Sequence, residues 1–209
     1  MSLVDFVLHF DRHLLEFVRD YGSWVYGILF TIVFAETGFV VTPFLPGDSL
    51  LFAAGALCAT GELSLAAMLA LLVFAAFAGN TVNYAVGRFI GPRVFQSGHR
   101  LLNQDYLDRA HAFFEQYGGK AVILGRFVPI VRTFVPFVAG AAQMTTGSFV
   151  AYNAAGAIAW VVLCLAAGAL FGNIPIVKNN FSLVTIGIVF VSILPMLFEV
   201  IAHRGKRQP

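Results

Sequence analysis

The chain has 209 residues, of which 59% are hydrophobic and only 11% are charged, and its formal net charge is +2. A soluble domain carries about 25% charged residues, so this composition leaves too few charges to cover a water-facing surface. The small net charge, with no basic face, excludes nucleic acid as an expected partner. We therefore expect an all-α polytopic membrane protein that forms a single integral membrane domain over residues 1–209.

The first 20 residues predict an amphipathic helix that lies on the membrane surface. Apolar residues recur there at intervals of three and four, and six charged residues stand between them. That spacing places the apolar side chains on one helix face. The same charges leave no apolar core for a signal peptide, so none is expected.

Three later stretches each hold about 20 mostly apolar residues, the length that a helix needs to cross a bilayer. Basic residues gather in residues 88–120 and again after residue 202. The positive-inside rule places both regions, and so the C-terminus, in the cytoplasm. The first stretch should stop at Gly91-Pro92, because proline ends a helix. The predicted spanning helices are residues 63–87, 148–172 and 181–202.

Small and polar residues inside the spanning helices predict how these helices pack. Gly-x-x-x-Gly pairs occur at 87/91 and 168/172, a pattern that permits close helix packing. Asparagines within spanning helices are more typical of interhelical hydrogen bonds than of ligand binding. The asparagines in question are Asn80, Asn83 and Asn153.

Two further apolar segments, residues 23–58 and 121–142, are interrupted by prolines, glycines and charges. Proline removes a backbone donor and breaks a helix. Irregular backbone at membrane depth is tolerated only where it is buried in protein or lines a watery cavity. We predict that both segments are re-entrant or broken hairpins packed inside the protein. The residues expected to shape the breaks are Gly38, Pro43, Pro46, Gly47, Pro129, Pro136 and Gly140.

The two halves of the chain resemble each other in the order of their elements. Each has an amphipathic helix ending in Tyr-Gly, a broken hairpin ending in "AAGAL" or "VAGAA", and a spanning helix. Repeat 1 covers about residues 1–91 and repeat 2 about residues 100–172, with the C-terminal helix 181–202 added. If each hairpin re-enters, each repeat crosses the membrane once and the second copy is inverted, as in many transporters. An extra crossing helix near residues 23–36 is the alternative, and it would move the N-terminus to the cytoplasm.

Four ionisable residues fall inside the broken segments: Glu36 and Asp48 in the first, Arg126 and Arg132 in the second. A central charge costs about 2.5–3.5 kcal/mol on insertion scales, so we expect pairing, hydration or both. Arginine stays charged and presents a fork suited to phosphate, which predicts that both arginines bind an anionic headgroup. Carboxylates in apolar surroundings take up protons more readily, which predicts proton coupling by both acids. A network that only fastens the hairpins is the structural alternative.

Four strings resemble the DedA family of bacterial inner-membrane proteins, relatives of the eukaryotic VTT-domain proteins: "FAETGFVVTPFLPGDSLLFAAGAL", "GNTVNYAVGRFIG", "GRFVPIVRTFVPFVAGAAQM" and "NAAGAIAW". The resemblance covers residues 1 to about 203. It implies a role in recycling undecaprenyl phosphate across the cytoplasmic membrane and a link to the proton motive force. The family's two acids and two arginines fall on the four charges above. Where similar family members carry Gly-Asp, this chain has Gly79-Asn80.

Together these features predict a lipid transporter of the bacterial cytoplasmic membrane that moves undecaprenyl phosphate, or a related phospholipid, with the help of protons. Two alternatives stay open: a proton-coupled transporter of a small soluble solute or ion, and a non-transporting protein of envelope integrity. No enzyme activity is expected, because the broken segments contain no His and Ser49 has no visible base. No cofactor or metal is expected. The oligomeric state stays open, a homo-oligomer included.

Overall fold

The computed structural model of the protein describes residues 22–39, 47–96, 117–128, 131–171 and 174. This part of the chain is helical and contains no strand, which confirms the predicted all-α class for these residues. The predicted helices at 1–20 and 181–202 lie outside it, as do Pro43, Pro46 and Pro129. The described helices are α1 (Trp24–Gly38), α2 (Gly47–Ala59), α3 (Leu65–Gln96), α4 (Lys120–Gly125), α5 (Val131–Ala141) and α6 (Thr146–Phe171).

Two helices of the described part are long and apolar enough to cross a membrane, α3 over Leu65–Gly91 and α6 over Thr146–Phe171. They confirm, by length and composition, the spanning segments predicted at 63–87 and 148–172. The predicted stop of the first helix at Gly91-Pro92 is wrong, because α3 continues to Gln96.

A side-chain contact explains how α3 continues through Pro92. Proline has no N–H, so it leaves the carbonyl of the residue four positions earlier without its helical donor. Here that residue is Arg88, and the side-chain Nε2 of Gln143 donates to the Arg88 carbonyl at 3.3 Å. The missing backbone bond is therefore replaced from the turn that follows α5.

Both predicted broken segments consist of two helices separated by an interruption. Helices α1 and α2 lie within residues 23–58, and helices α4 and α5 lie within residues 121–142. Gly38 ends α1 and Gly47 begins α2, at the two sides of the first interruption. The described helices therefore end and begin again within both predicted broken segments.

The positions of Pro136 and Gly140 differ from the prediction that these residues shape a break. Both lie inside the continuous helix α5 and do not interrupt it. Pro136 removes only the bond to the carbonyl of Arg132, in the first turn of α5, and a single lost bond there does not end the helix. Gly140 instead serves helix packing, as its contacts show below.

Contacts between residues divide the chain into two compact units, whose boundaries fall inside α1, α3 and α6. In the described part, the first unit contains residues 22–30, 47–71 and 161–171. The second unit contains residues 31–39, 72–96, 117–128 and 131–160.

In the first unit, helices α2 and α6 touch backbone to backbone. A Cβ atom at Gly55 would overlap the carbonyl of Leu165, and one at Gly168 would overlap the carbonyl of Phe52. Glycine is the residue that permits such an approach, because any side chain would push the helices apart. The predicted close packing at position 168 is confirmed, while position 172 lies outside the described residues.

The second unit repeats this pattern between α3 and α5. A Cβ atom at Gly140 would overlap the carbonyl of Tyr84, and one at Gly87 would overlap the carbonyl of Phe137. Gly91 lies equally close to Ala141. The predicted packing of the 87/91 pair is confirmed, and its partner is the second helix of a broken segment.

Substituting these contact glycines should destabilise the protein without touching a charged residue. Gly140→Ala and Gly55→Ala each force a methyl group against the backbone of a neighbouring helix, and overpacking of this kind costs about 1–3 kcal/mol. Thermal unfolding in detergent measures the loss. Gly147→Ala is the matched control, because Gly147 is exposed and nothing lies near its Cβ position. Equal unfolding temperatures for all three variants would contradict the close packing.

Candidate functional site

Glu36 and Arg132 form a buried ion pair in the second unit. Glu36 lies in the last turn of α1 and is 0% exposed, and Arg132 lies at the start of α5 and is 8% exposed. The Arg132 Nη2 group donates to Oε1 of Glu36. The structure thus brings an acid of the first broken segment to an arginine of the second, as the sequence predicted.

Arg126, the second predicted arginine, follows α4 and is only 3% exposed. Its Nη2 donates to Oδ1 of Asn153 at 2.8 Å and to the carbonyl of Ala76 at 3.2 Å. Its Nε and Nη1 are buried and have no hydrogen-bond partner among the described residues. A guanidinium carries five N–H donors in a fixed fork. Most donors of this buried group therefore have no acceptor among the described residues.

Asn153 organises the polar contacts around Arg126. Its Oδ1 accepts from Arg126 and also from Nδ2 of Asn80 at 3.1 Å. Its own Nδ2 donates to the carbonyl of Phe77 at 3.0 Å and to Oγ1 of Thr81 at 3.3 Å. The predicted interhelical hydrogen bonds are confirmed, since these contacts join α3 to α6. No sequence pattern indicated that they also hold the arginine.

Asn83 links three helices beside the ion pair. Its Nδ2 donates to the carbonyl of Thr133 at 2.8 Å, in α5, and to the carbonyl of Thr37 at 3.3 Å, in α1. Thr37 directly follows Glu36, and Thr133 directly follows Arg132. One buried amide on α3 therefore holds the backbone next to both members of the pair.

Both guanidinium groups lie over the ring of Trp160. The distances from their Cζ atoms to the ring centroid are 5.8 Å for Arg126 and 5.5 Å for Arg132. Such cation–π contacts are strongest when the groups are desolvated, and Trp160 is only 3% exposed. Sequence reasoning missed Trp160. The signal for it was its spacing of seven residues from Asn153, which places both on one face of α6.

Glycines allow α1 to approach α3 at this site. Gly38 and Gly79 meet directly, with 3.4 Å between the Cβ position of Gly38 and the Cα of Gly79. A Cβ atom at Gly79 would overlap Oγ1 of Thr37. The Thr37 hydroxyl itself donates to the carbonyl of Val33 at 2.8 Å. The small residues therefore let the last turn of α1, which carries Glu36, lie close to α3.

A small cavity opens among these side chains. It is lined by Thr37, Asn80, Arg126, Arg132 and Trp160. Its volume is about 10 Å³, which is roughly the space that one water molecule requires. Both predicted anion-binding arginines reach it. A larger group that enters must displace neighbouring side chains.

Asp48, the second predicted proton-coupling acid, lies in the first turn of α2 and belongs to the first unit. It is half-buried and is not among the residues that line the cavity. Its predicted role stays a prediction. Within the described ranges, no group of three His, Cys, Asp or Glu side chains could hold a metal ion.

Comparison with known proteins gives a consistent result. The family model of the VTT domain matches residues 45–170. Protein DedA of Escherichia coli K12 is 53% identical over 205 residues, covering 97% of this chain and 94% of its own. An uncharacterized membrane protein of Mycobacterium tuberculosis H37Rv is 41% identical over 191 residues, covering 90% and 84%. Inner membrane protein YqjA of Escherichia coli K12 is 36% identical over 153 residues, covering 73% and 70%. No solved structure matches the chain.

The helices and the buried charges define an integral membrane protein with a polar site in its interior. The matched domain and the identities above show that the chain belongs to the DedA family of inner-membrane proteins, within the VTT-domain proteins. Its relatives are named as membrane proteins.

Removing the asparagine that holds Arg126 should lower stability measurably. Asn153→Ala deletes the acceptor shared by Arg126 and Asn80, and an unsatisfied buried donor costs about 1–3 kcal/mol. Thermal unfolding in detergent measures the change. Ser148→Ala is the control, because it removes only an exposed hydrogen bond, the one donated by Thr145, which directly precedes α6. An Asn153→Ala protein as stable as the control would show that the network contributes nothing to the fold.

Proposed function

We propose that this protein moves an anionic lipid phosphate, undecaprenyl phosphate or a related lipid, between the leaflets of the bacterial cytoplasmic membrane. The observation that carries this proposal is Arg126, whose buried Nε and Nη1 have no acceptor among the described residues. Leaving a buried charge uncompensated is costly. Phosphate oxygens are the acceptors that match the guanidinium fork, and a phosphate would supply what Arg126 lacks.

Arg132 would be the second contact to the phosphate. It now donates to Glu36, and it lines the same cavity as Arg126. A phosphate that takes over this bond would leave the Glu36 carboxylate buried without its partner, a state that favours uptake of a proton. Lipid movement would then be coupled to protons through Glu36. We retain Asp48 as the second coupling acid because it stands at the start of α2, beside the first break.

The lipid tail needs no binding site of its own in this proposal. The phosphate alone must be shielded from the hydrocarbon, while the polyprenyl or acyl chain stays in the bilayer. Exposed apolar side chains along the spanning helix α6 suit contact with such chains. They include Ile158, Val162, Leu163 and Leu170.

We further propose that the two broken segments are re-entrant hairpins in a pair of inverted repeats. Helix α1 has 15 residues and α5 has 11, so at about 1.5 Å per residue neither spans a hydrocarbon core of about 30 Å. The matched glycine contacts of α2 with α6 and of α3 with α5 support a repeat. So do Gly22 and Gly118, which both follow a tyrosine and both have positive φ, +48° and +55°.

We propose transport without chemical conversion. The described residues that line the cavity are threonine, asparagine, arginine and tryptophan. The one hydroxyl among them, on Thr37, donates to backbone carbonyls and, among the described residues, to no side-chain base. An enzyme mechanism with an activated nucleophile would need such a base.

Lipid-phosphate transport in liposomes tests the proposal. Purified protein should move undecaprenyl phosphate between leaflets, and Arg126→Ala should slow this about ten- to a hundredfold, the loss expected for a charge-assisted hydrogen bond. Lys120→Ala is the control, because it removes an exposed positive charge close to Arg126 in sequence. Thermal unfolding of both variants shows whether they are folded.

Three results would contradict the proposal. The first is a wild-type protein that moves no lipid phosphate under any ion gradient. The second is a folded Arg126→Ala protein that transports as fast as wild type. The third is flux of a small soluble anion without lipid movement, which would favour the soluble-solute alternative.

A further inference from the structure

Gly156 lies beside Arg126 and differs from the glycines that meet an opposing backbone. It is buried in the interior of α6, about one turn from Asn153 and from Trp160 and on the same helix face. A Cβ atom at Gly156 would overlap nothing, since the nearest atoms outside α6 are the Cα of Ile123 at 3.4 Å and the Nε of Arg126 at 3.7 Å. A methyl group therefore fits at ordinary contact distances.

Close packing alone does not explain glycine at this position. Glycine is less favourable than alanine in a helix interior, and the space here would accept alanine. That space instead adjoins an atom whose hydrogen-bonding need is not met. The Nε group of Arg126 is buried and has no partner among the described residues, and it lies on the side of the guanidinium that faces Gly156.

We propose that Gly156 opens a subsite for the ligand: the space left by its missing side chain receives a phosphate oxygen that accepts from Nε of Arg126. This inference rests on the function proposed above and extends its binding site. An acceptor of Nε lies about 3 Å from that atom. A methyl group 3.7 Å from Nε would take up part of the space for this acceptor and would offer no acceptor of its own.

The subsite also gives the ligand more room than the cavity alone. Arg126 lines the cavity that holds about one water molecule, and the space at Gly156 lies beside the same side chain. A phosphate group carries several oxygens that point in different directions, so it can use acceptor positions at more than one place along this arginine.

Serine at position 156 separates a role in binding from a role in packing. A C–O bond directed at Nε would shorten the 3.7 Å separation to hydrogen-bond length. The hydroxyl would then supply the acceptor that Nε lacks and occupy the place of the ligand oxygen. Gly156→Ser should therefore unfold at a higher temperature than Gly156→Ala, although serine is the weaker helix former. Both variants should bind phosphate more weakly than the wild type.

The fluorescence of Trp160 provides the binding readout, because this ring contacts Arg126. The other tryptophan of the chain, Trp24, is 74% exposed, and Trp24→Phe removes its signal. The probes are hexyl phosphate and inorganic phosphate, titrated in maltoside micelles, which contain no phosphate. Arg126→Ala in the same background measures partition of the probes into micelles. Gly147→Ala and Gly147→Ser are the matched controls, because they make the same changes on α6 where nothing lies near.

Both substitutions at position 156 should raise the dissociation constant of hexyl phosphate about ten- to a hundredfold, the loss expected for one charge-assisted hydrogen bond. The unfolding temperature of Gly156→Ala should not fall, and the Gly147 controls should bind as the wild type does. Three results would overturn the inference: unchanged binding in either variant, a loss of binding that parallels a loss of stability, and a Gly156→Ser protein that unfolds below Gly156→Ala. In each case the proposed function would stand.

The wild-type protein tests the proposed function separately. If neither probe binds, or if Arg126→Ala binds both probes unchanged, the subsite and the proposed function both fail. If inorganic phosphate binds as tightly as hexyl phosphate and shows the same losses at position 156, the subsite is supported and the lipid substrate is contradicted.

Discussion

The burial of two guanidinium groups and one carboxylate is the constraint on which the rest of the described site depends. Charges in a low-dielectric interior need partners, and the surrounding residues provide most of them. Glu36 pairs with Arg132, while Asn153 and a backbone carbonyl accept from Arg126. Asn83 and Asn153 in turn donate to backbone carbonyls of neighbouring helices. The polar residues of α3 and α6 therefore provide hydrogen bonds that hold the buried charges in place. Two purely apolar helices could not provide these bonds.

Close helix contacts are the second requirement of the site, because hydrogen bonds and ion pairs are stronger where water is excluded. Glycine backbones meet at the α1–α3 contact, and glycines of α3 and α5 lie against the opposing backbone. These contacts let Arg132 of α5 bond to Glu36 of α1. They also let Asn83 of α3 bond to the backbone of both helices. The small residues and the charges are thus parts of one arrangement: the glycines set the spacing, and the spacing decides which polar groups can reach each other.

Much of this arrangement could be predicted from the sequence, because charges and breaks in apolar segments have few physical explanations. The positions of the two interruptions, the pairing of Glu36 with an arginine and the interhelical asparagines follow from that argument. The continuation of helices through Pro92 and Pro136 could not be predicted. Whether proline ends a helix depends on whether the freed carbonyl finds another donor, and for Arg88 that donor is Gln143, a contact made only in the folded chain. The contact of both arginines with Trp160 could not be predicted either, because it too forms only in the folded chain.

Arg126 has buried donors that lack an acceptor among the described residues. This feature distinguishes a binding site from a network that only holds helices together. A network whose only task is to hold helices together gains from satisfying every buried donor, since each one left unsatisfied costs free energy. Arg126 does not fit that description, because two of its nitrogens lack an acceptor among the described residues. A buried guanidinium group with such donors is suited to a ligand that brings acceptor oxygens.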